Sequence, residues 1–178
     1  MTTATAFNVT SEPSTEIFDE LFREYYPLVF RTAFAVTGNS EDAKDVAQTI
    51  FLRLFRRGLP AGTKNPKGYF YRAAVNAALN VVRSRKRYMF TADETELDSL
   101  VEIDRPAVEM PIEGRLVKAI AQLSPTAVEM LVLRYGHHYS DAEIGKLLDK
   151  SRGVVAVTLC RARARLKKLL RDQEEKDR

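Results

Sequence analysis

Only one cysteine, Cys160, occurs in 178 residues, which excludes an internal disulfide and suits a reducing compartment. No apolar run approaches the roughly 20 residues that cross a bilayer. The opening MTTATAFNVTSEPST lacks the basic start and long apolar stretch of a secretory signal. A cytoplasmic protein with a frayed stretch at residues 1–14 is therefore expected. Glycine-rich phosphate loops are missing. His137-His138 has no cysteine or acid at ligand spacing, so the pair reads as turn residues, and neither a metal nor another cofactor is expected. Cys160 lacks a paired histidine or resolving cysteine. It lies among arginines, but core packing is the expected role. Glu41, Asp42 and Asp45 could serve a metal-dependent nuclease, with Asp42 and Asp45 at i, i+3 sharing the ion. No further acidic cluster joins them, and acids at a helix start more often serve the positive end of the dipole.

Acid is scarcest where it matters most. Residues 46–92 hold no Asp or Glu but ten Lys and Arg, whereas residues 91–114 hold eight acids and one base. The net charge of +4 hides this segregation. A basic block, an acidic block and a basic C-terminal helix suggest two polyanion-binding surfaces separated by a self-repelling linker.

Helical periodicity runs through the rest. Phe18, Leu21, Phe22 and Tyr25 mark a first amphipathic helix, which Pro27 either kinks or divides from an apolar segment ending near Gly38. Asn39 or Ser40 caps the next helix, whose apolar positions Ala43, Val46, Ala47, Ile50, Phe51, Leu54 and Phe55 keep strict helical spacing. Pro66 can open a third helix with Phe70, Ala73, Ala74, Ala77 and Val81 on its buried side. Arg72, Asn76, Asn80, Arg83 and Arg87 then form a narrow polar stripe. Asparagine can pair with an adenine edge and arginine can hold phosphate or guanine. Mid-helix asparagine lowers helix propensity without an obvious structural gain. The aromatics Tyr69, Phe70, Tyr71, Tyr88 and Phe90 beside the stripe could stack on unpaired bases, although each taken singly reads as core.

The stretch SDAEIGKLLDKSRGVVAVTLCRARARLKKLL, residues 140–170, reads as two helices joined by a tight turn. Ser140 and Glu143 have the spacing of a capping box, and Ser151 can cap the second helix. That second helix pairs an apolar face of Val155, Leu159, Ala162, Leu166, Leu169 and Leu170 with Arg152, Arg161, Arg163, Arg165, Lys167, Lys168 and Arg171. A DNA-reading helix-turn-helix is the functional reading, and a helical hairpin with a solvated positive face the bland one. A stand-alone regulator would explain this half of the chain but not the acid-free half before it.

Three stretches together resemble a known family. NSEDAKDVAQTIFLRLFRR resembles the polymerase-binding helix of bacterial sigma factors. NPKGYFYRAAVNAALNVVRSRKR resembles the segment that reads and melts the downstream promoter element. LSPTAVEMLVLRYGHHYSDAEIGKLLDKSRGVVAVTLCRARARLKKLL resembles the domain that reads the upstream element. Their order and spacing are similar to the extracytoplasmic-function (ECF) group. The resemblance implies an all-α chain of two small helical bundles joined by a flexible acidic linker, the second bundle a helix-turn-helix domain. The corresponding boundaries are 15–90 for region 2, 91–112 for the linker, 113–172 for region 4 and 173–178 for a charged tail.

The resemblance also implies a non-catalytic protein that binds core RNA polymerase and directs promoter recognition, melting and initiation, and that an anti-sigma factor commonly restrains. Asp42, Asp45 and Gln48 match the polymerase-docking positions. Arg72, Asn76, Asn80, Arg83, Arg85, Lys86 and Arg87 match the downstream-element face, and the loop 59–68 matches one that pockets a flipped base. Ser151, Arg152, Val154, Thr158, Arg161 and Arg165 fall on the upstream-reading helix. Tyr69 stands where tryptophan is common, Asn80 where aspartate is, and Asp149 where glycine is. VVAVTL replaces a more familiar TVKSRL, so Ala156 and Thr158 lack the usual charges, and each lost phosphate contact lowers affinity at physiological salt.

Overall fold

The computed structural model describes residues 15–91 and 112–176. These form seven α-helices: α1 (Thr15–Thr37), α2 (Ser40–Arg57), α3 (Pro66–Thr91), α4 (Ile112–Ile120), α5 (Pro125–Leu131), α6 (Asp141–Leu148) and α7 (Arg152–Lys176). A π-helical turn, Val132–Gly136, prolongs α5. No strand occurs among the described residues. The expected frayed start and most of the expected linker lie outside them. The helix α7 continues to Lys176, into the residues expected as a charged tail.

Local chemistry accounts for most helix ends. The Asn39 side chain accepts hydrogen bonds from the Glu41 and Asp42 N–H groups at 2.9 and 3.1 Å, so Asn39 is the cap of α2. The capping box of α6 is formed: the Ser140 N–H donates to Glu143 Oε2 at 2.8 Å, and the Glu143 N–H donates to Ser140 Oγ at 3.3 Å. The Ser140 hydroxyl, which also donates to Glu143 Oε2 at 2.7 Å, and then the Ser140 N–H hold the Glu143 carboxyl below its usual pKa. Asp149 takes a left-handed conformation at the end of α6, with φ of 55°, which aspartate tolerates better than most side chains. The turn into α7 is tight enough that a Cβ at Gly145 would lie 2.6 Å from the Lys150 carbonyl oxygen. Pro27 does not divide α1. Tyr25 and Val29, on either side of it, are both buried. That tertiary burial offsets the ~3 kcal/mol that an internal proline costs a helix.

In the first bundle α1, α2 and α3 pack on one another. Val29, Ala33, Val46, Ala47, Phe51 and Phe70 are buried there. Tyr25 stacks on Phe70 at 4.6 Å between ring centroids. Phe55, the last member of the α2 pattern, is exposed at the end of that row. In the second bundle α7 packs on α4, α5 and α6. Val128, Leu133, Ile144, Val155 and Leu159 fill that core.

The two bundles also lie against each other. The helix α3 packs on α5 and α6, and α1 packs on α4 and the π-helical turn. This corrects the expected buried side of α3. Tyr71, Val75, Ala78, Leu79 and Val82 are buried besides Phe70 and Ala74, while Ala73, Ala77 and Val81 are only half-buried. A helix covered by both bundles buries a wider arc than a stripe facing one core.

Polar groups pin the seam. The buried Thr32 hydroxyl lies 2.9 Å from His137 Nε2, and the His137 ring meets Tyr71 edge-on. His137 is therefore a seam residue and not merely a turn residue. Its location pushes its pKa down to about 4, chiefly by burial and further by Arg31, Lys67 and His138. Asn65 Nδ2 donates to the Leu147 carbonyl at 3.1 Å. A Cβ on Gly68 would sit 2.9 Å from that same oxygen, so only glycine permits this approach.

Candidate functional site

Three surfaces collect the candidate residues. On α2, Asp45 and Gln48 are exposed on the side away from the Val46–Ala47 core stripe. Leu52 and Phe55 continue that face at helical spacing and are 49% and 53% exposed. Sequence reasoning did not single them out as surface residues. A solvent-facing row of two apolar side chains beyond two polar ones can seat a partner helix or groove. Asp42 does not belong to it. The carboxylate is buried at the first turn of α2 and accepts a hydrogen bond from Arg85 Nη2 at 2.6 Å. Asp42 thus ties α2 to α3, and a docking role for its own carboxylate is set aside. The physical reason is the helix phase: position 42 shares the inward arc with Ala43 and Val46.

The stripe on α3 divides. Asn76 and Asn80 are exposed, one turn apart, with Arg72 a further turn before them. Arg72 Nε lies 3.8 Å from Glu129 Oε1 across the seam. Burial raises the pKa of the Glu129 carboxyl, while Arg72 and Lys150 oppose that rise. Arg83 turns away from the stripe and donates to the Ala121 and Leu123 carbonyls at 3.0 and 2.9 Å. Those carbonyls follow the C-terminus of α4, where the macrodipole favours a cation. Arg83 is therefore occupied within this arrangement, contrary to its expected place on an open DNA face. Arg85 pairs with Asp42 yet leaves more than half of its side chain exposed. Lys86 and Arg87 lie on the backbone of α3, and their side chains are outside the described residues. Phe70 and Tyr71 are buried and Tyr69 is half-buried, so the first two are excluded from base stacking here.

The third surface is the outer side of α7. Arg152, Val154, Arg161 and Arg165 are exposed and Thr158 is half-buried. Ser151 Oγ accepts the Val154 N–H at 3.3 Å and so serves as the cap of this helix. Val157, which sequence reasoning passed over, is also exposed. Its signal was available in the spacing, because Val155 and Leu159 claim the core face and leave 154 and 157 outside it. Cys160 is exposed as well, which corrects the expectation that it packs in the core. Arg163 is held to its own bundle, with Nε 3.3 Å from the Leu159 carbonyl oxygen and Nη1 3.4 Å from Tyr135 Oη. Among the described residues, no group of three or more His, Cys, Asp or Glu could hold a metal ion, and no helix is long and apolar enough to cross a membrane.

Comparison with known proteins agrees with the order of these surfaces. Residues 21–88 match the family model for Sigma-70 region 2, and residues 113–166 match that for Sigma-70, region 4. The chain is 29% identical over 157 residues to the ECF RNA polymerase sigma factor SigE of Mycolicibacterium smegmatis, covering 86% of this chain and 61% of that longer relative. It is 28% identical over 170 residues to the RNA polymerase sigma factor YlaC of Bacillus subtilis, covering 90% of this chain and 95% of that one. It is 29% identical over 163 residues to the ECF sigma factor SigM of Mycobacterium tuberculosis, covering 86% and 76%. Among solved structures, the fold is shared with the sigma factor RpoE of Bartonella quintana, crystallised with the anti-sigma factor NepR. The TM-score is 0.52 at 19% identity, over 88% of this chain and 98% of that one. With both sigma-70 regions matched in order and ECF sigma factors among its relatives, the chain belongs to the sigma-70 family as an ECF-type sigma factor.

Proposed function

We propose that this protein binds core RNA polymerase and directs it to promoters, contributing recognition and melting but no catalysis, in the cytoplasm where polymerase works. The observation that carries this is the pairing of two distinct faces in the sigma-factor order. An exposed asparagine and arginine stripe lies on α3 within the region 2 match, and the arginine-rich α7 is the second helix of a capped helix-turn-helix within the region 4 match. A stand-alone regulator needs only the second face and is not favoured.

In this reading Asp45 and Gln48, extended by Leu52 and Phe55, dock on polymerase. Arg72, Asn76 and Asn80 meet the downstream element, with Arg85, Lys86 and Arg87 supplying positive charge beside it. Arg83 can join them only when the seam opens. On α7, Arg152, Val154, Thr158, Arg161 and Arg165 face the upstream element, and Ser151 holds the helix start in place. The units follow residues 15–90 and 113–172, joined through 91–112. An anti-sigma protein is a further partner, supported by the fold shared with a sigma factor crystallised with one. The test is co-purification of the full chain with core polymerase, followed by transcription from a promoter library. Selection of a common two-part promoter is the expected result. Tight sequence-specific binding by the free chain, with no affinity for polymerase, would favour the stand-alone regulator instead.

A further inference from the structure

The start of α7 carries an unexplained apolar surface. Val154 and Val157 are 48% and 50% exposed, while Val155 and Leu159 beside them are buried in the core. At i and i+3 the two exposed valines are neighbours on one face, and Arg161 and Arg165 continue that face along the helix. Exposure of β-branched side chains gives the fold nothing. They lower helix propensity and leave hydrocarbon in water.

The charge around them selects the occupant. Residues 150–171 contain no Asp or Glu, and Arg152, Arg161, Arg165, Lys167 and Lys168 are exposed around or beyond the two valines. A polyanion complements that surface. Gly153 leaves the first turn bare, since a Cβ there would meet only Ser151 Oγ, at 4.0 Å. A nucleic-acid backbone can therefore approach closely. Valine offers no donor or acceptor, so these positions cannot read the hydrogen-bonding edges of guanine or adenine. The apolar group that a DNA major groove presents is the C5-methyl of thymine.

Resting on the assignment of α7 to the upstream promoter element, we propose that Val154 and Val157 are specificity-determining residues that read thymine methyl groups. The flanking arginines supply phosphate contacts. Contact with a methyl replaces the charged readout that Ala156 and Thr158 do not provide.

The test uses holoenzyme, the full chain with core polymerase, and promoter fragments that it selects from a library. Each upstream thymine is replaced in turn by deoxyuridine, which deletes only the methyl. At one or two positions affinity should fall about fourfold, the value of one buried methyl-sized group. Val154→Ala and Val157→Ala should each bind thymine and deoxyuridine fragments nearly equally at the position that residue reads. Their melting temperatures should stay near wild type, because both side chains are exposed. Arg161→Ala should weaken both fragments alike and keep the thymine preference. Indifference of the wild type to deoxyuridine at every upstream position would overturn the proposal, as would methyl effects that all survive, position by position, in both valine variants. A holoenzyme whose selected promoters share no upstream element would overturn the assignment of α7 itself, and this proposal with it.

Discussion

Replacing Arg83 with alanine should part the two bundles without unfolding either. The guanidinium donates two hydrogen bonds across the seam, at 3.0 and 2.9 Å, to carbonyls that end α4. A hydrogen bond to a charged group contributes ~1.5–3 kcal/mol, so the pair, discounted for partial exposure, holds the seam by roughly 2–4 kcal/mol. The ratio of packed to separated forms should therefore fall roughly 30- to 700-fold. Arg83→Lys keeps the charge but cannot fork between the two carbonyls, so it should fall between wild type and alanine. The readout is energy transfer between one dye on Cys160 and another on Lys44→Cys. Both positions are exposed and lie in different bundles. Transfer should drop in Arg83→Ala, while circular dichroism keeps its helical signal. Transfer unchanged even along a denaturant titration that separates the wild-type bundles would show that the Arg83 bridge contributes nothing to the seam, and Arg83 would then have no structural reason to leave the stripe.

Asp45→Lys combined with Gln48→Ala should weaken binding to core polymerase at least tenfold with the fold intact; equal affinity in a titration would remove this face from the docking surface. Asn76→Ala and Asn80→Ala should each reduce promoter opening more than polymerase binding. A lost base contact removes about 1–3 kcal/mol, and permanganate footprints matching wild type would argue against that role. His137 supplies a pH prediction. Its folded pKa, pushed down to about 4, lies below the unfolded value near 6.5, so the unfolded chain binds more protons between them. The stability from neutral His137 is complete above about pH 6.5 and is lost as pH falls towards 4. Glu129, raised by burial, contributes with the opposite sign, but it is common to both proteins compared. Wild-type Tm should thus fall more steeply than that of His137→Gln between pH 6.5 and 4.5; parallel curves would place the His137 ring in solvent.

Much of this protein is written in short-range pattern. Asn39 caps α2, Ser140 and Glu143 close their box, and the Ala43–Leu54 row faces a core, because each depends only on residues within a turn or two. The exposed asparagines of α3 and the outward arginines of α7 follow from the same helical phase. Even the exposure of Val157 and Cys160 was present in that phase, once Val155 and Leu159 had claimed the core. Other features have no local signature. Arg83 meets carbonyls about 40 residues away, Asp42 meets Arg85 across 43, and Thr32 meets His137 across 105. Periodicity tells which arc of a helix is apolar, but not how many neighbours will cover it. The helix α3 buries a second face because α5 and α6 lie on it. Whether an arginine serves DNA or a helix end was decided by that packing, since a guanidinium satisfies either partner and only the tertiary arrangement sets which one is within reach.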